Sequence, residues 1–299
     1  DIACIVSTIP KNKNDGNKHA LKPYAMLKRM SEHFNVIILK TGIPNLCHSF
    51  QSVVCGNGLG MQTAQIENKR LSGQVLQWKD MVKKGNLTKG LCYTIAEIPS
   101  LTLYKYLQNN ILENDEWRSI LFQLFFTMSL LQKEIPGFVH HNLTPKYIHL
   151  KKVPAGGQFV YVVDGKKYYV PNYGLVVKVL PSSFSYAKNL YENKVVYDEE
   201  FQGTMGIHPD NSQFYDVHLF CNTLYHTKNT PMYIKSFVKK LIKKEYISES
   251  NTQYIINKRL RIHAKQDAIQ FKTLLNDKIF SSLTKLDKKK IVFHPKYKI

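Results

Sequence analysis

The sequence predicts an α+β fold with a β-rich amino-terminal part and a larger, mainly helical part after it, which we call the small and large lobes. The first hundred residues alternate between β-rich runs and an amphipathic helix. Two later segments, 115–134 and 214–224, have the length and apolar character of buried helices. At 299 residues and 43% hydrophobic content, the chain can bury a substantial core. We place these parts at 1–98 and 99–299, and the length of the chain allows either two modest lobes or one large domain.

The elements of the small lobe follow from local patterns. The β-rich run at 3–10 predicts a strand, and apolar residues at helical spacing over 20–39 predict a helix. A second strand is expected at 47–55. The mostly polar segment 56–90 indicates a partly helical insertion at the edge of the lobe. Its G-N-G-L-G at 56–60 lacks the spacing of a phosphate-binding loop and favours a turn.

The large lobe begins after an alternating, β-rich run at 91–99 that contains Glu97. A helix is expected next, capped by Ser100 or Thr102. The helix at 115–134 carries an apolar face and should lie in the middle of the lobe.

Turn chemistry and composition predict the remaining elements. Asp164-Gly165 lies between two β-rich runs and predicts a hairpin, which we set at 158–180. Residues 231–280 have the pattern of short, basic amphipathic helices, and the chain closes in a basic tail.

The charge of the chain is strongly positive and uneven. The formal net charge is +20, and the last 69 residues hold 17 Lys and Arg against 5 Asp and Glu, or +12. This part could bind nucleic acid or an acidic protein through its lysine clusters, which are Lys239, Lys240, Lys243, Lys244, Lys288, Lys289 and Lys290. The alternative is a lysine-rich solvated surface of the kind that an AT-rich genome produces.

Several classes of protein are disfavoured. No apolar run is long enough for a membrane span, and the first residues lack the basic region of a secretory signal. Because the chain does not begin with Met, we expect it to be processed or incomplete at its start. The five cysteines form no C-x-x-C pair, which favours free thiols in a reducing compartment.

A polar loop between a helix and a short strand is the most informative stretch of the sequence. It runs P-G-F-V-H-H-N-L-T-P-K-Y-I-H-L from 136 to 150, opening on a Pro-Gly break and ending in a β-rich run. His140-His141 alone does not make a metal site. The loop resembles the catalytic loop of protein kinases, H-R-D-L-x-x-x-N, with His140, Leu143 and Pro145 at matching places.

Further segments extend this resemblance to the protein kinases of large nucleocytoplasmic DNA viruses. They occur in order over roughly 1–280 and include I-P-N-L at 43–46, Y-T-I-A-E at 93–97, V-P-N-Y-G-L-V-V-K-V at 170–179 and G-I-H-P-D-N-S-Q-F-Y-D-V-H at 206–218. The resemblance implies a bilobal protein-kinase-like fold. It also implies that Asp216 braces the loop by hydrogen bonds to its backbone.

The chain departs from the family where the chemistry is done. Asn142 stands where the catalytic Asp belongs, and an amide cannot accept a proton at neutral pH. Tyr147 and Pro181 replace the two metal ligands of the family. Ser7 and Thr8 stand where the phosphate-binding Lys is expected, and Lys22-Pro23 replaces its Glu partner.

We therefore expect a catalytically inactive pseudokinase with no catalytic, cofactor-binding or metal-binding residues and no bound cofactor. The alternative is an atypical active Ser/Thr kinase that uses Asp164, Asp210 or Asp216 as its carboxylates. Lys40 and Glu67 are possible substitutes for the small-lobe pair, but each lies at the wrong place in the element order.

Without chemistry, the protein would act through its surfaces. We expect an interaction or scaffold role with viral or host proteins, in the host cytoplasm or the virion. The segment 182–213 contains several aromatic residues suited to protein contacts, although these could equally pack back on the lobe: Phe184, Tyr186, Tyr191, Tyr197 and Phe201.

Overall fold

The computed structural model describes residues 2–10, 23–55, 69–84, 87–97, 99, 101–243, 246–247, 261–262, 269–286 and 292–298. The amino-terminal part contains three strands and two helices: β1 (Ile2–Pro10), α1 (Pro23–Thr41), β2 (Ser49–Cys55), α2 (Lys69–Lys83) and β3 (Leu87–Glu97). β3 is the central strand and pairs antiparallel with β1 on one side and β2 on the other. The strands and the first helix therefore follow the predicted order. The G-N-G-L-G turn at 56–60 lies outside the described residues.

α1 buries one apolar stripe against the rest of the molecule. Its buried side chains recur at helical spacing and are at most 1% exposed: Met26, Met30, Phe34 and Ile37. The helix ends before Gly42, whose φ of 68° lies in the left-handed region that closes many helices and favours glycine. The N–H of Gly42 donates to the carbonyl of Ile38 at 2.7 Å, which satisfies one carbonyl of the last turn.

The carboxy-terminal part is larger and mixes helices with short strands. Its elements are β4 (Leu101–Thr102), α3 (Leu103–Asn109), α4 (Asn114–Glu134), β5 (Phe138–Val139), β6 (His149–Lys152), β7 (Gln158–Val163), β8 (Lys166–Pro171), β9 (Leu175–Lys178), β10 (Tyr186–Ala187), α5 (Glu199–Met205), α6 (Gln213–Tyr225), α7 (Met232–Leu241), α8 (Phe271–Leu274) and β11 (Val292–Lys298). The predicted Thr102 cap of α3 is confirmed, because its hydroxyl accepts from the N–H of Lys105 at 3.2 Å. Ser100 lies outside the described residues.

α4 forms the centre of the core. The sequence predicts one apolar face, but every residue from 119 to 131 is buried. Polar side chains on such a helix must find partners within the protein. Thr127 and Ser129 donate to the carbonyls of Gln123 and Phe125, one turn back, at 2.6 and 2.7 Å. The helix is therefore surrounded by the other elements of the large part.

The Asp164-Gly165 pair forms the turn between β7 and β8. Both residues have positive φ, 48° and 80°, as a type I′ turn requires. β9 pairs with β6 in a different sheet, with Leu150 opposite Val177. The segment 158–180 therefore contains one hairpin and one separate strand.

Part of the segment predicted as a basic tail is a strand. β11 pairs in parallel with β7, with Val292 opposite Gln158. The register shifts between Phe293 and Tyr297, on either side of Pro295, which has no N–H to donate to the neighbouring strand. Without β11, this side of β7 would be a free sheet edge, which readily pairs with another strand.

Residues 231–280 are only partly described. α7 is amphipathic, with Ile234, Phe237 and Val238 buried. Lys244 and the cluster Lys288–Lys290 lie outside the described residues. Within the part of the chain that is described, no helix combines the length and apolarity needed to cross a bilayer.

Candidate functional site

A buried carboxylate holds the loop at 136–150 in place. Asp216, in the first turn of α6, accepts the N–H groups of His140 and His141 at 2.6 and 2.9 Å. Its side chain is fully buried, and this burial raises its pKa to about 7, although the two N–H donors and Arg261 act in the opposite direction. The predicted bracing role of Asp216 is confirmed.

The two histidines of the loop are neutral and structural. His140 Nε2 donates to the carbonyl of Leu180 at 2.9 Å, and its Nδ1 accepts the N–H of Asn142. His141 Nδ1 donates to the carbonyl of Phe184 at 2.9 Å. Burial lowers the pKa values of His140 and His141 to about 4 and 3, so neither carries charge near neutral pH. The loop is thereby tied to the segment that follows β9.

The buried guanidinium of Arg261 binds Asn142, the residue that stands where the resemblance to kinases places the catalytic Asp. Arg261, 5% exposed, donates to Asn142 Oδ1 at 2.9 Å and to the carbonyl of His141 at 2.7 Å. It also donates to the hydroxyl of Tyr215 at 2.6 Å. The sequence analysis missed this residue. One signal was available, since Arg261 is one of only five arginines in a chain rich in lysine.

A cavity of about 380 Å³ lies between the small part and the braced loop. The small part contributes Leu27, Ser31, Cys47, Ser49, Thr94 and Ala96. The large part contributes His140, Asn142, Tyr147, His149, Leu180, Pro181, Ser182, Ser183 and Phe184. No Asp, Glu, Lys or Arg is among these described lining residues. The structure therefore places Asn142, Tyr147 and Pro181 together around a cleft whose described lining contains no Asp, Glu, Lys or Arg.

The described donor set of this cleft does not fit a magnesium–nucleotide complex. Mg²⁺ prefers carboxylate, carbonyl and water oxygens, and triphosphates require cationic or backbone N–H donors. Asn142 Oδ1 already accepts from Arg261, whose charge opposes that of a metal ion. Tyr147 and Pro181 supply no carboxylate or carboxamide. Among the described side chains, no group of three or more His, Cys, Asp or Glu can hold a metal ion.

The carboxylates proposed as replacements lie elsewhere. Asp164 is 61% exposed in the hairpin turn and pairs with Lys272 at 2.7 Å. Asp210 is 89% exposed and lies 3.8 Å from Lys188. Neither lines the cleft, and Asp216 is occupied by the loop backbone.

Of the residues considered for the small-lobe Lys–Glu pair, Lys40 has a described side chain, and it does not line the cleft. Ser7 and Thr8 are in β1, where their backbones pair with Cys92 and Leu91, and Lys22 lies outside the described residues. Lys40 pairs with Glu134 of α4 at 2.6 Å. Glu67 lies outside the part of the chain that the structure describes.

Charges are instead concentrated in a three-residue ion cluster behind the cleft, which sequence analysis did not anticipate. Glu97, at the end of β3, accepts from Lys151 at 2.6 Å and from Lys178 at 2.8 Å. Lys178 is 7% exposed and also donates to the carbonyl of Leu46 at 3.3 Å. Burial by itself would raise the pKa of Glu97, but the two lysines lower it below its ordinary value. The cluster ties β3 of the small part to β6 and β9 of the large part.

The I-P-N-L segment supplies a second tie between the parts. Asn45 is fully buried and donates to Gln123 Oε1 and to the carbonyl of Val177, at 3.0 and 2.9 Å. Its own Oδ1 accepts from the hydroxyl of Tyr161 at 3.0 Å. The backbone beside it forms a parallel bridge between Leu46 and Val179. The residues between α1 and β2 are therefore bound to the core of the large part.

Comparison with known proteins gives one curated relative. The chain is 25% identical over 195 residues to "Putative serine/threonine-protein kinase R400" of Acanthamoeba polyphaga mimivirus. The chain is a protein-kinase-like relative of viral kinases. The match covers 60% of this chain and 40% of the relative, so the chain spans less than half of that protein's length.

Other comparisons add little. No family model matches the chain. Among solved structures, the yeast RNA Pol II CTD kinase CTDK-1 complex shares 12% identity, covering 63% of this chain and 40% of the other, with a TM-score of 0.30.

The P-N-Y-G segment of this kinase-like chain has a local structural role. Asn172 Nδ2 donates to the carbonyl of Pro154 at 2.8 Å, and its Oδ1 accepts the N–H of Gly174 at 2.9 Å. Gly174 has φ of 85°, and a Cβ there would lie 3.2 Å from the carbonyl oxygen of Val153. The segment therefore holds the loop before β7, away from the position that a metal-binding Asp would occupy.

The aromatic residues of 182–213 largely pack back on the molecule. Tyr186 is 2% exposed, and Phe184, Tyr191 and Tyr197 pack partly buried against the core. Tyr191 also contacts α1, its hydroxyl lying 2.6 Å from His33 Nδ1. The alternative that we considered therefore holds for Tyr186, Tyr191 and Tyr197, whereas Phe184 also lines the cleft.

The thiols described agree with the predicted free state. Cys47 and Cys221 are buried and unpaired, and burial raises both pKa values to about 12. Cys55 is free and exposed. Inert, buried thiols of this kind are structural.

Proposed function

We propose that this chain is a catalytically inactive kinase-like protein that acts through contacts with other proteins. One observation carries the proposal: the described lining of the cleft contains no Asp or Glu that could act as a base or hold magnesium, and no Lys or Arg that could bind phosphate. Phosphoryl transfer depends almost entirely on positioning and charge stabilisation, and the described side chains of this cleft supply neither a carboxylate nor a basic group for it.

The geometry around Asn142 adds to this proposal. Losing a catalytic base typically reduces the rate by ~10²- to 10⁴-fold. Here the amide that replaces it is also bound to a buried arginine. The two ties between the parts, at Glu97 and Asn45, favour a rigid body suited to presenting surfaces.

Two rival functions remain to be tested against it. The printed name of the viral relative favours an active Ser/Thr kinase, but that name concerns a protein of which this chain matches 40%. Nucleic-acid binding is favoured by the lysines of α7. Of these, Lys240 lies 3.2 Å from Asp277, and Lys239 lies over the ring of Tyr225 at 5.6 Å.

We place the protein in a viral context, in the host cytoplasm or the virion, with viral or host proteins as partners. The relationship to a viral kinase supports the viral context. The free thiols at Cys47, Cys55 and Cys221 support a reducing compartment.

Thermal-shift titration with ATP and Mg²⁺ tests the inactive state. A nucleotide at 100 times its dissociation constant would stabilise the fold by about 2.7 kcal/mol, a readily measured change. We expect no magnesium-dependent shift at millimolar ATP, and no transfer of labelled phosphate to a generic protein substrate. A known active kinase, treated identically, is the positive control. Labelled product that disappears on an Asp164→Asn or Asp210→Asn change would establish the active alternative instead.

A further inference from the structure

A second cavity, larger and more open, adjoins the cleft. We call it the basic groove, and it encloses about 720 Å³. Its walls come from α3, the loop at 144–147 and the end of α6 with the turn after it, at 223–228. Asn142, Tyr147 and Phe184 line both the groove and the cleft. The volume lies within the range of roughly 300–1,000 Å³ typical of ligand sites.

The charges facing this groove are of one sign. Lys146 and Lys228 are exposed at its edge, and Arg261 is buried in its wall. No Asp or Glu is among the described residues that line it. Lys146 Nζ lies 5.1 Å from the ring centroid of Tyr104, so this cation is held against an aromatic wall. A partner with negative charge therefore meets an attractive field.

The walls favour a peptide over a bare anion. Tyr104, Tyr147 and Phe184 present aromatic surface, and Tyr147 is 52% exposed. Aromatic side chains supply much of the binding energy at protein interfaces at a small cost in conformational entropy. Cationic edges around an aromatic recess suit a peptide with carboxylates on either side of an apolar side chain.

We propose that the basic groove binds an acidic segment of a partner protein. The carboxylates of the segment pair with Lys146 and Lys228, and an apolar or aromatic side chain between them packs on Tyr104 and Tyr147. This inference rests on the proposed function, because it gives the non-catalytic protein its contact surface. It replaces the aromatic segment 182–213, whose described rings are largely packed against the core.

Fluorescence anisotropy with a short labelled peptide of Asp and Glu around one central Tyr tests this proposal. The protein is the full chain, compared with the double variant Lys146→Glu and Lys228→Glu. Lys167→Glu combined with Lys105→Glu gives the same change of charge at exposed lysines that do not line the groove. We expect the groove variant to bind about tenfold or more weakly and the control to bind almost as the parent does.

Further probes separate the outcomes. A peptide with Asn and Gln in place of the acids should not bind. Equal losses in the groove and control variants would show a diffuse charge effect and overturn the proposal. So would tighter binding of a single-stranded oligonucleotide at the same site, since that would assign the groove to nucleic acid. Thermal unfolding of each variant shows whether a loss of binding reflects a loss of folding.

A change in the wall gives a second, charge-neutral test. Tyr147→Ala removes the exposed ring and should weaken peptide binding while leaving its salt dependence unchanged. Unaltered affinity in this variant would overturn the predicted aromatic contact. Two results distinguish this proposal from the proposed function. If the protein neither binds the acidic peptide nor transfers phosphate, only the proposal for the groove is wrong. If it transfers phosphate to a substrate, the proposed function is wrong, whether or not the peptide binds.

Discussion

Replacing Glu97 by Gln should destabilise the protein, because it leaves a buried cation without its anion. Lys178 is 7% exposed, and apart from Glu97 it donates to the carbonyl of Leu46 at 3.3 Å. Removing one member of a buried ion pair typically costs ~3–5 kcal/mol. Glu97 is 14% exposed and Lys151 is 39% exposed, so water can replace part of the loss. We therefore expect about 3 kcal/mol, or a Tm lower by roughly 6–10 °C.

Urea unfolding of Glu97→Gln and of a matched control measures this. Glu32→Gln removes an exposed partner 3.9 Å from Lys28 and should cost less than about 1 kcal/mol. Adding Lys178→Met to the Glu97→Gln variant removes the buried cation that has lost its anion, and this should restore much of the free energy of unfolding. If Glu97→Gln were no more damaging than Glu32→Gln, the cluster would not be a significant tie between the two parts.

The same variant should change the response to acid. The lysines hold the pKa of Glu97 below its ordinary value of 4.5. The carboxylate of Glu97 therefore binds a proton more readily in the unfolded chain than in the folded protein. Its contribution to the free energy of unfolding is complete above pH 4.5 and is lost as the pH falls through the pKa of the folded state. Unfolding free energies measured from neutral pH into this acid range should fall less steeply in Glu97→Gln than in the parent. Parallel curves would contradict the role assigned to the pair.

Three further outcomes test the loop. Asp216→Asn should lower the free energy of unfolding by about 2–3 kcal/mol, as measured with urea, because one of the two oxygens that accept an N–H group becomes an NH₂ donor. The control Asp210→Asn, at an exposed site, should lower it by less than about 0.5 kcal/mol. Asn142→Asp should not confer phosphoryl transfer, because the new carboxylate would pair with Arg261; a labelled product would contradict this. Arg261→Met should lower the Tm by several degrees, since it removes three buried hydrogen bonds, and an unchanged Tm would refute that.

Local patterns were sufficient to predict much of the fold. α4 and α6 lie within two residues of the predicted helices, because a run of apolar residues of helical length has few alternatives. The turn at Asp164-Gly165 follows from two positive φ angles that these residue types tolerate. Asp216 was predicted from the resemblance, and its contacts are as expected.

The features that were missed depend on partners distant in the chain. Arg261 and Asn142 are 119 positions apart, and Glu97 and Lys178 are 81 apart. Nothing near either residue indicates the partner, since lysine and glutamate on strands usually mean solvated side chains. β11 was missed for the same reason: its pairing depends on the free edge of β7 rather than on its own sequence.

The charged side chains near the loop at 136–150 are distributed differently from those of a phosphoryl-transfer site. A phosphoryl-transfer site keeps anions for a metal and cations for phosphates in one desolvated cleft. In the described part of this chain, Glu97 and Lys178 neutralise each other behind the cleft, and Arg261 is used to hold Asn142. Lys146 faces the neighbouring groove. These described charges near the loop therefore stabilise the fold or face a neighbouring surface, which is the arrangement that the proposed non-catalytic function predicts.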